Sequence, residues 1–216
     1  MFVAFMGVAA LALVGAIALL IWITSMTPIQ ATDETEPTGP PPTAQEWIDD
    51  GAVLFAIGEV EAVYGAEWST SDQSRPGTPW AVSDVPDDTW IHTPILVELD
   101  GEPVVLNADA GADVEGGLPT VDMLLALRGG EIDSDRYEVI DGQDREFEPG
   151  DRVGLVVSVK DQDLDDLELI DTAFGEGWEF MGRYHIDGDT ARIQWGDETE
   201  EYDLEELLED FRDAAQ

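Results

Sequence analysis

The chain has 216 residues and carries 49 Asp and Glu against 9 Lys and Arg, which gives a formal charge of -40. Its hydrophobic content of 44% is high enough for a folded core, so the charge excess does not by itself predict disorder. It contains no cysteine, which excludes disulfides, thiolate nucleophiles and cysteine-ligated metal centres. The length allows one domain with an anchor but not two large domains.

The charge balance also bears on partners and habitat. Binding to a nucleic acid needs clustered Lys and Arg, and here the few basic residues are scattered among carboxylates, so no nucleic-acid partner is expected. An acid-rich, nearly lysine-free composition resembles that of extreme halophiles such as haloarchaea, where molar salt screens the repulsion between carboxylates. We therefore expect a halophilic protein whose acidic residues mainly cover a solvated surface.

An uncharged apolar run occupies residues 2–23, FVAFMGVAALALVGAIALLIWI. A bilayer-spanning helix needs about 20 such residues, so the run is long enough to cross a membrane. The alternative is a cleaved signal peptide, which predicts a basic start and a shorter apolar stretch of roughly 7 to 15 residues. We predict an uncleaved transmembrane anchor over residues 1–26, with the lipid bilayer as the partner of residues 2–23.

A Pro/Thr-rich acidic segment, residues 27–46, follows the predicted anchor. Its prolines favour extended backbone, which predicts a linker that holds the folded domain away from the membrane. The positive-inside rule does not orient the anchor, because the first basic residue, Arg75, lies far beyond it. Thr-rich stalks are typical of extracellular linkers, so we expect the soluble domain to be extracytoplasmic.

The folded part opens with two β segments. Residues 52–65 alternate apolar side chains with two glutamates, which predicts an edge strand with one face in water. Residues 93–108 predict two strands that form a hairpin around Asp100-Gly101, a strong sequence signal for a hairpin turn. We therefore expect a meander of antiparallel strands.

Further strands and one short helix are predicted in the middle of the chain. The helix is predicted by four residues at helical spacing: Val121, Leu124, Leu125 and Arg128. The Gly-Gly pair that follows them is expected to end it. The strands are residues 136–143 and 151–161, with Pro149-Gly150 as the turn before the second. An antiparallel hairpin around Asp187-Gly188 is predicted over residues 179–197.

The C-terminal segment, residues 203–214, is amphipathic. Its apolar residues at helical spacing are Leu204, Leu207, Leu208 and Phe211, with carboxylates on the opposite face. Because an apolar stripe usually faces the core of its own chain, we predict a helix that packs on the β domain. Binding of the stripe to a partner protein is the alternative.

Chemistry-bearing clusters are sparse in this sequence. A run of carboxylates lacks the order of an EF-hand, so a halophilic surface is favoured there over weak cation binding; its members are Asp161, Asp163, Asp165 and Asp166. His92 lies near Asp87 and Asp88 but no nucleophile motif accompanies it, so packing is favoured over catalysis. We predict no enzyme activity, no cofactor and no bound metal.

Six tryptophans lie outside the predicted anchor, and most are expected in the core because tryptophan is highly buried on average. Three of them lie in or beside a loop-like stretch, residues 69–78, which makes them candidates for an exposed aromatic groove. The candidate interaction surface predicted from the sequence therefore consists of Trp68, Trp80, Trp90, Leu204, Leu207, Leu208 and Phe211.

Three segments in order resemble the GIDE-like β-domain, a membrane-associated module: IGEVEAV, TPILVELDGEPVVLNADAGADV and RYEVIDGQDREFEPGDRVGLVVSV. The resemblance covers residues 52–160, and its matching residues are Gly58, Val60, Gly111, Ala112, Glu148, Pro149, Gly150, Asp151 and Val153. It implies a membrane-tethered β-domain with a binding role of unspecified ligand, although this chain has one predicted span where the better-known members have two. The ligase activity of eukaryotic members is not implied, because their RING finger needs cysteines that this chain lacks.

Residues 47–216 are thus predicted to form one acidic, mainly β domain, either an antiparallel barrel, with an OB-like barrel as one form, or a sandwich. The predicted function is that of a single-pass, membrane-anchored, non-enzymatic interaction module of a halophile, with a protein partner at the membrane or cell envelope. The alternative is a carbohydrate-binding or hydrolase domain with a Trp-lined cleft, in which paired carboxylates such as Asp87 and Asp88 act.

Overall fold

A computed structural model describes residues 30–34, 39–68, 91–108, 118–133, 135–159 and 178–216. The predicted membrane span over residues 2–23 lies outside these ranges. Within them, neither helix has the length and apolar character needed to cross a bilayer.

The described residues form a mainly β structure with two short helices, which confirms the predicted class and the C-terminal helix. The helices are α1 (Ala44–Asp49) and α2 (Leu204–Ala214). The strands are β1 (Gln30–Glu34), β2 (Leu54–Val63), β3 (Glu67–Trp68), β4 (Ile91–Leu99), β5 (Val104–Val105), β6 (Asp122–Arg128), β7 (Gly130–Ile132), β8 (Asp135–Ile140), β9 (Arg152–Val159), β10 (Trp178–Asp187), β11 (Thr190–Trp195) and β12 (Glu198–Asp203).

Five of the strands pair in a closed ring. Strand β2 pairs with β4, β4 with β6, β6 with β10, β10 with β9, and β9 again with β2. The β6–β10 pairing is parallel and the other four are antiparallel. Outside the ring, β11 and β12 continue from β10, and a small separate sheet has the order β1-β8-β7.

The inner face of the ring carries one apolar core. The side chains at alternate positions of each strand point into it, as in Leu54 and Ala56 of β2 and Leu155 and Val157 of β9. The predicted faces of β4 and β9 are therefore confirmed where they are described, since the apolar residues of one face are all buried: Ile95, Val97, Leu99, Val153, Leu155 and Val157.

A second apolar core lies outside the ring, beneath the two helices. Phe55 of β2 stacks on Phe211 of α2 with ring centroids 4.1 Å apart, and Tyr184 of β10 meets Phe55 edge to face at 5.9 Å. Gly154 of β9 leaves room for this cluster, because a Cβ there would lie 3.1 Å from the Phe55 ring. The outer face of the ring is thus covered by the helices here and is not exposed to solvent.

Both helices begin at a side-chain cap. Thr43 and Glu46 form a capping box at α1, in which the Thr43 amide donates to Glu46 Oε2 at 2.8 Å and the Glu46 amide donates to Thr43 Oγ1 at 3.3 Å. The Glu46 carboxylate accepts from the Thr43 amide and also from the Thr43 hydroxyl, at 2.8 Å, and these two hydrogen bonds lower the pKa of Glu46. Asp203 caps α2 by accepting from the amides of Glu205 and Glu206 at 3.0 and 3.2 Å.

The predicted helix over residues 121–128 is wrong, because this segment is strand β6. Its sequence fits both periods: the helical set includes Leu124 and Leu125, while alternation places Met123, Leu125 and Leu127 on one face. The structure buries the alternating set, and Val121 of the helical set is 60% exposed. Strand β6 pairs with β4 on one side and with β10 on the other, and these pairings provide partners for its backbone N–H and C=O groups.

Two predicted strand arrangements are also corrected. Asp100-Gly101 does not close a hairpin: β4 pairs with the second half of β2 and β5 pairs with Leu54 and Phe55 at its start, so β4 and β5 follow one another along β2. Strand β2 is not an edge strand, because β9 pairs along its other side.

The linker prediction for residues 27–46 is incomplete as well, since β1 and the start of α1 fall within it.

Candidate functional site

A groove of about 670 Å³ opens beside β8, and we call it the β8 groove. It is lined by Val63 at the end of β2, by Thr93 and Ile95 of β4, and by residues 127–131, 136–139 and 145–148. Cavities of about 450 and 350 Å³ lie beside α2 and are smaller. The β8 groove therefore gathers segments that are far apart in the chain.

Two glycines turn the chain from β6 into β7 at the edge of the groove. Gly129 and Gly130 have φ values of 112° and 149°, which side chains rarely adopt. A Cβ on Gly130 would lie 2.8 Å from the Cβ of Ala66 and 2.9 Å from Thr93 Oγ1. The Thr93 hydroxyl donates to the carbonyl oxygen of Gly129 at 2.9 Å, which fixes the corner against β4.

One exposed apolar side chain lines the groove. Val63 is 37% exposed there, whereas the exposed Tyr64 and Ile140 follow lining residues in the chain without lining the groove themselves. An exposed apolar side chain on a concave surface offers a partner an apolar contact.

Charge at the groove differs from the rest of the molecule. Three of the nine basic residues line it, Arg128, Arg136 and Arg145, together with four glutamates: Glu131, Glu138, Glu146 and Glu148. The groove is thus close to charge balance on a chain with 49 acidic residues. Arg128 pairs with Glu179 at 3.5 Å and Arg136 with Glu138 at 3.3 Å, and both guanidinium groups remain open to solvent.

One wall of the groove is held by a buried arginine beneath it. Arg183 of β10 lies over the ring of Phe147 at 4.4 Å from its centroid. Its guanidinium donates to the carbonyl oxygen of Glu146 and to Asp151 Oδ2, the latter at 3.0 Å, and pairs with Asp144 at 3.4 Å. These contacts fix residues 144–151 in one conformation.

Arg145 ties the same wall to the end of β6. Its Nε donates to Asp141 Oδ1 at 3.1 Å, and the pair is mostly buried. Its Nη1 also donates to the carbonyl oxygen of Arg128 at 3.5 Å, and its guanidinium lies 4.8 Å from the centroid of the Phe180 ring. Arg145 and Arg183 therefore shape the groove, whereas the guanidinium groups of Arg128 and Arg136 are exposed at it.

The aromatic part of the predicted interaction surface is not an open groove where it is described. Trp68 is 3% exposed and pairs within β3 next to β4, so the prediction that it is exposed is wrong. Trp80 and Trp90 lie outside the described residues. Trp47 is buried as well, meeting Trp195 edge to face at 5.6 Å and donating from Nε1 to the Tyr184 hydroxyl at 3.4 Å.

The stripe of α2 divides into two parts. Leu207 and Phe211 are buried in the second core, as the predicted helix packing requires, so they do not form an accessible surface. Leu204 and Leu208 are half-buried and line the cavity of about 350 Å³ beside Phe55. Only this second pair is accessible to a ligand.

Apart from Glu46 at the α1 cap, the described groups with clearly shifted pKa values are two tyrosines at the second core, and none lies in the β8 groove. Burial raises the pKa of Tyr184 to about 12. Burial also raises the pKa of Tyr202, whose hydroxyl donates to Glu200 Oε2 at 2.7 Å. His92 is buried, as its packing prediction requires, while Asp87, Asp88 and the carboxylate run 161–166 lie outside the described residues.

The described residues hold no group of three or more His, Cys, Asp or Glu side chains arranged to bind a metal. They define a mainly antiparallel β protein with a mixed-charge groove at one end of a five-stranded ring. Comparisons of the chain with protein-family models, with curated proteins and with solved structures give no match.

Proposed function

We propose that this chain is a single-pass, membrane-anchored, non-enzymatic interaction module of a halophile, and that it binds a protein partner in the β8 groove. The observation that carries the proposal is the groove itself, where the exposed Val63 and three of the nine basic residues of a chain with charge -40 form one lining. A protein segment offers apolar side chains and both signs of charge, and so fits this lining.

The closed ring of five strands supports a finer assignment of the fold, an OB-like barrel. Such barrels are five-stranded and mostly antiparallel, and they bind ligands on their outer face and loops. The β8 groove has a comparable position, since the ends of β2, β4 and β6 and the connection into β9 line it. The resemblance to the GIDE-like β-domain likewise implies a membrane-tethered β-domain with a binding role.

Recognition in the groove would combine two effects. Burial of Val63 against apolar side chains of a partner supplies free energy without direction, at about 25 cal/mol per Å². Arg128 and Arg136 add direction, because a guanidinium forms paired hydrogen bonds with a carboxylate. The wall held by Arg183 is already ordered, so binding does not have to order it.

The proposal is tested with the full chain purified from membranes at molar salt. The double variant Arg128→Gln/Arg136→Gln should lose a co-purifying protein that the parent retains, since truncating charged groups at an interface commonly weakens binding by 10-fold or more, about 1.4 kcal/mol. The matched control is Arg192→Gln, which removes an arginine of similar exposure that pairs with Glu201 on β12.

Equal loss of the partner in both variants would contradict binding in the β8 groove, because it would show that binding depends on the total charge of the protein. A partner retained by the double variant would place the binding surface elsewhere. Thermal melts of all three proteins separate lost binding from lost folding.

A further inference from the structure

Residues 30–34, which lie between the predicted anchor and the ring of strands, form a strand of the small sheet. Strand β1 runs parallel to β8, with Gln30 opposite Arg136 and Glu34 opposite Ile140. Five consecutive pairs of residues are in register. The chain therefore enters the domain beside Arg136, next to the turn between β7 and β8.

This entry point limits the distance between the groove and the membrane. The predicted span ends at Ile23, and six residues, 24–29, separate it from Gln30. A fully extended chain advances at most about 3.6 Å per residue, so Gln30 lies within about 25 Å of the end of the span. Arg136 lies opposite Gln30 and lines the β8 groove.

The opposite end of the ring is farther from this entry point. Strand β6 carries Arg128 at the groove and Asp122 at its other end. Asp122 lies six positions before Arg128 in the strand, so the two residues are about 20 Å apart. A chain that enters beside Arg136 thus brings the groove end of the ring toward the bilayer and leaves the Asp122 end pointing away.

We propose that pairing of β1 with β8 holds the β8 groove toward the bilayer, so that its occupant is a juxtamembrane segment of an integral membrane protein. The chemistry of the lining requires an extended segment with apolar side chains flanked by charges of both signs. The inference rests on the proposed function, because it takes both the anchor and the groove from it.

Distances to the bilayer test the orientation. Because the chain has no cysteine, the single variants Glu131→Cys, at the groove, and Asp122→Cys, at the far end of β6, each take one fluorescent label. The full chain is placed in phosphatidylcholine nanodiscs with acceptor-labelled headgroups, and energy transfer is measured. The Glu131→Cys label should lie closer to the headgroups than the Asp122→Cys label, by up to about 20 Å, the length of β6 between Arg128 and Asp122.

A second pair of proteins tests the role of β1. Replacing residues 30–34 by a Gly/Ser run of equal length keeps the tether length but removes the pairing, and should abolish the difference between the two labels. Equal distances in the parent, or a difference that survives the replacement, would overturn the orientation by β1. Thermal melts of the labelled proteins show that each is folded.

Photo-crosslinking from position 137 in native membranes tests the occupant. Tyr137 lines the groove, and a photoreactive side chain there should capture a protein that has its own membrane span. No product, or a product with a protein that lacks a span, overturns the assigned partner class. Failure of the proposed function is distinct: the chain would not insert into nanodiscs, or Arg128→Gln/Arg136→Gln would leave association unchanged.

Discussion

Gly182 lies at a bulge of β10, where its missing side chain lets α1 approach the strand. A Cβ at this position would lie 2.8 Å from two carbons of the Trp47 ring. The register between β9 and β10 shifts between Phe180 and Gly182, which adds one residue to β10. Phe180 therefore faces the inside of the ring, whereas Tyr184 faces the second core.

Tyr184 gives this second core a measurable dependence on pH. Burial raises its pKa from 10.0 to about 12. The folded state therefore holds the phenolic proton more tightly than the unfolded state, so the stabilisation is complete below pH 10 and is lost as the pH rises toward 12. We expect the free energy of unfolding to fall by about 3 kcal/mol over this window through Tyr184.

Denaturant titrations of the parent and of Tyr184→Phe at a series of pH values measure the effect. The variant should lose about 1 kcal/mol near neutral pH, because the Trp47 Nε1 donor loses its acceptor, and should show a flatter decline above pH 10. Parallel declines of the two proteins would show that Tyr184 does not control the alkaline transition.

At the scale of the element, α2 stabilises the domain mainly through its two buried side chains, Leu207 and Phe211. Phe211 stacks on Phe55, and Phe211→Ala should lower the free energy of unfolding by about 3 to 5 kcal/mol, as large-to-small changes in cores do. Leu208 is half-buried beside a cavity, and Leu208→Ala should cost only about 1 kcal/mol. Chemical denaturation of both variants decides between a packed helix and a helix held by its cap alone.

An equal, small cost for both variants would contradict the packing of α2. A third variant, Asp203→Ala, measures the cap separately, since Asp203 accepts from two amides of the first turn. Its expected cost is about 1 kcal/mol, which is typical for loss of an N-cap.

Elements that follow one period were predictable from sequence, and elements that obey two periods were not. The hairpin around Asp187-Gly188 and α2 each show a single pattern, and both are confirmed. The sequence of β6 fits both a helix and a strand, and it is a strand because it pairs with β4 on one side and β10 on the other. The bulge at Gly182 is invisible locally, because the ring of Trp47 that requires it comes from a distant part of the chain.

The candidate site was beyond the reach of sequence patterns for a related reason. Five separate stretches between residues 63 and 148 line the β8 groove, and no local spacing connects them. The one usable signal was the scarcity of cations: Arg128, Arg136 and Arg145 lie close together in a chain with nine basic residues. Aromatic content suggested Trp68 instead, which burial in the structure excludes as an exposed contact.

For the whole molecule, uneven charge is the dominant feature. The ion pairs of the described residues are formed by arginines, and they engage only a small part of the 49 carboxylates. Some carboxylates face one another directly. Glu98 of β4 lies opposite Glu59 of β2 on one side and opposite Asp122 of β6 on the other, and like charges in such positions are destabilising.

This arrangement predicts that the domain loses stability as salt is removed. The screening length is about 3 Å at 1 M salt and about 30 Å at 0.01 M, so repulsion among the unpaired carboxylates grows as the salt is diluted. Thermal melts across that series measure the loss of stability.

The variant Glu98→Gln should reduce this loss of stability by about 0.2 to 1 kcal/mol per like-charged contact removed, because it removes the negative charge that lies between Glu59 and Asp122. Glu201→Gln is the control, since Glu201 pairs with Arg192 at 3.0 Å and its removal should give no such gain. A melting temperature that stays constant down to low salt, or an equal gain in both variants, would show that carboxylate repulsion does not limit the stability of this domain.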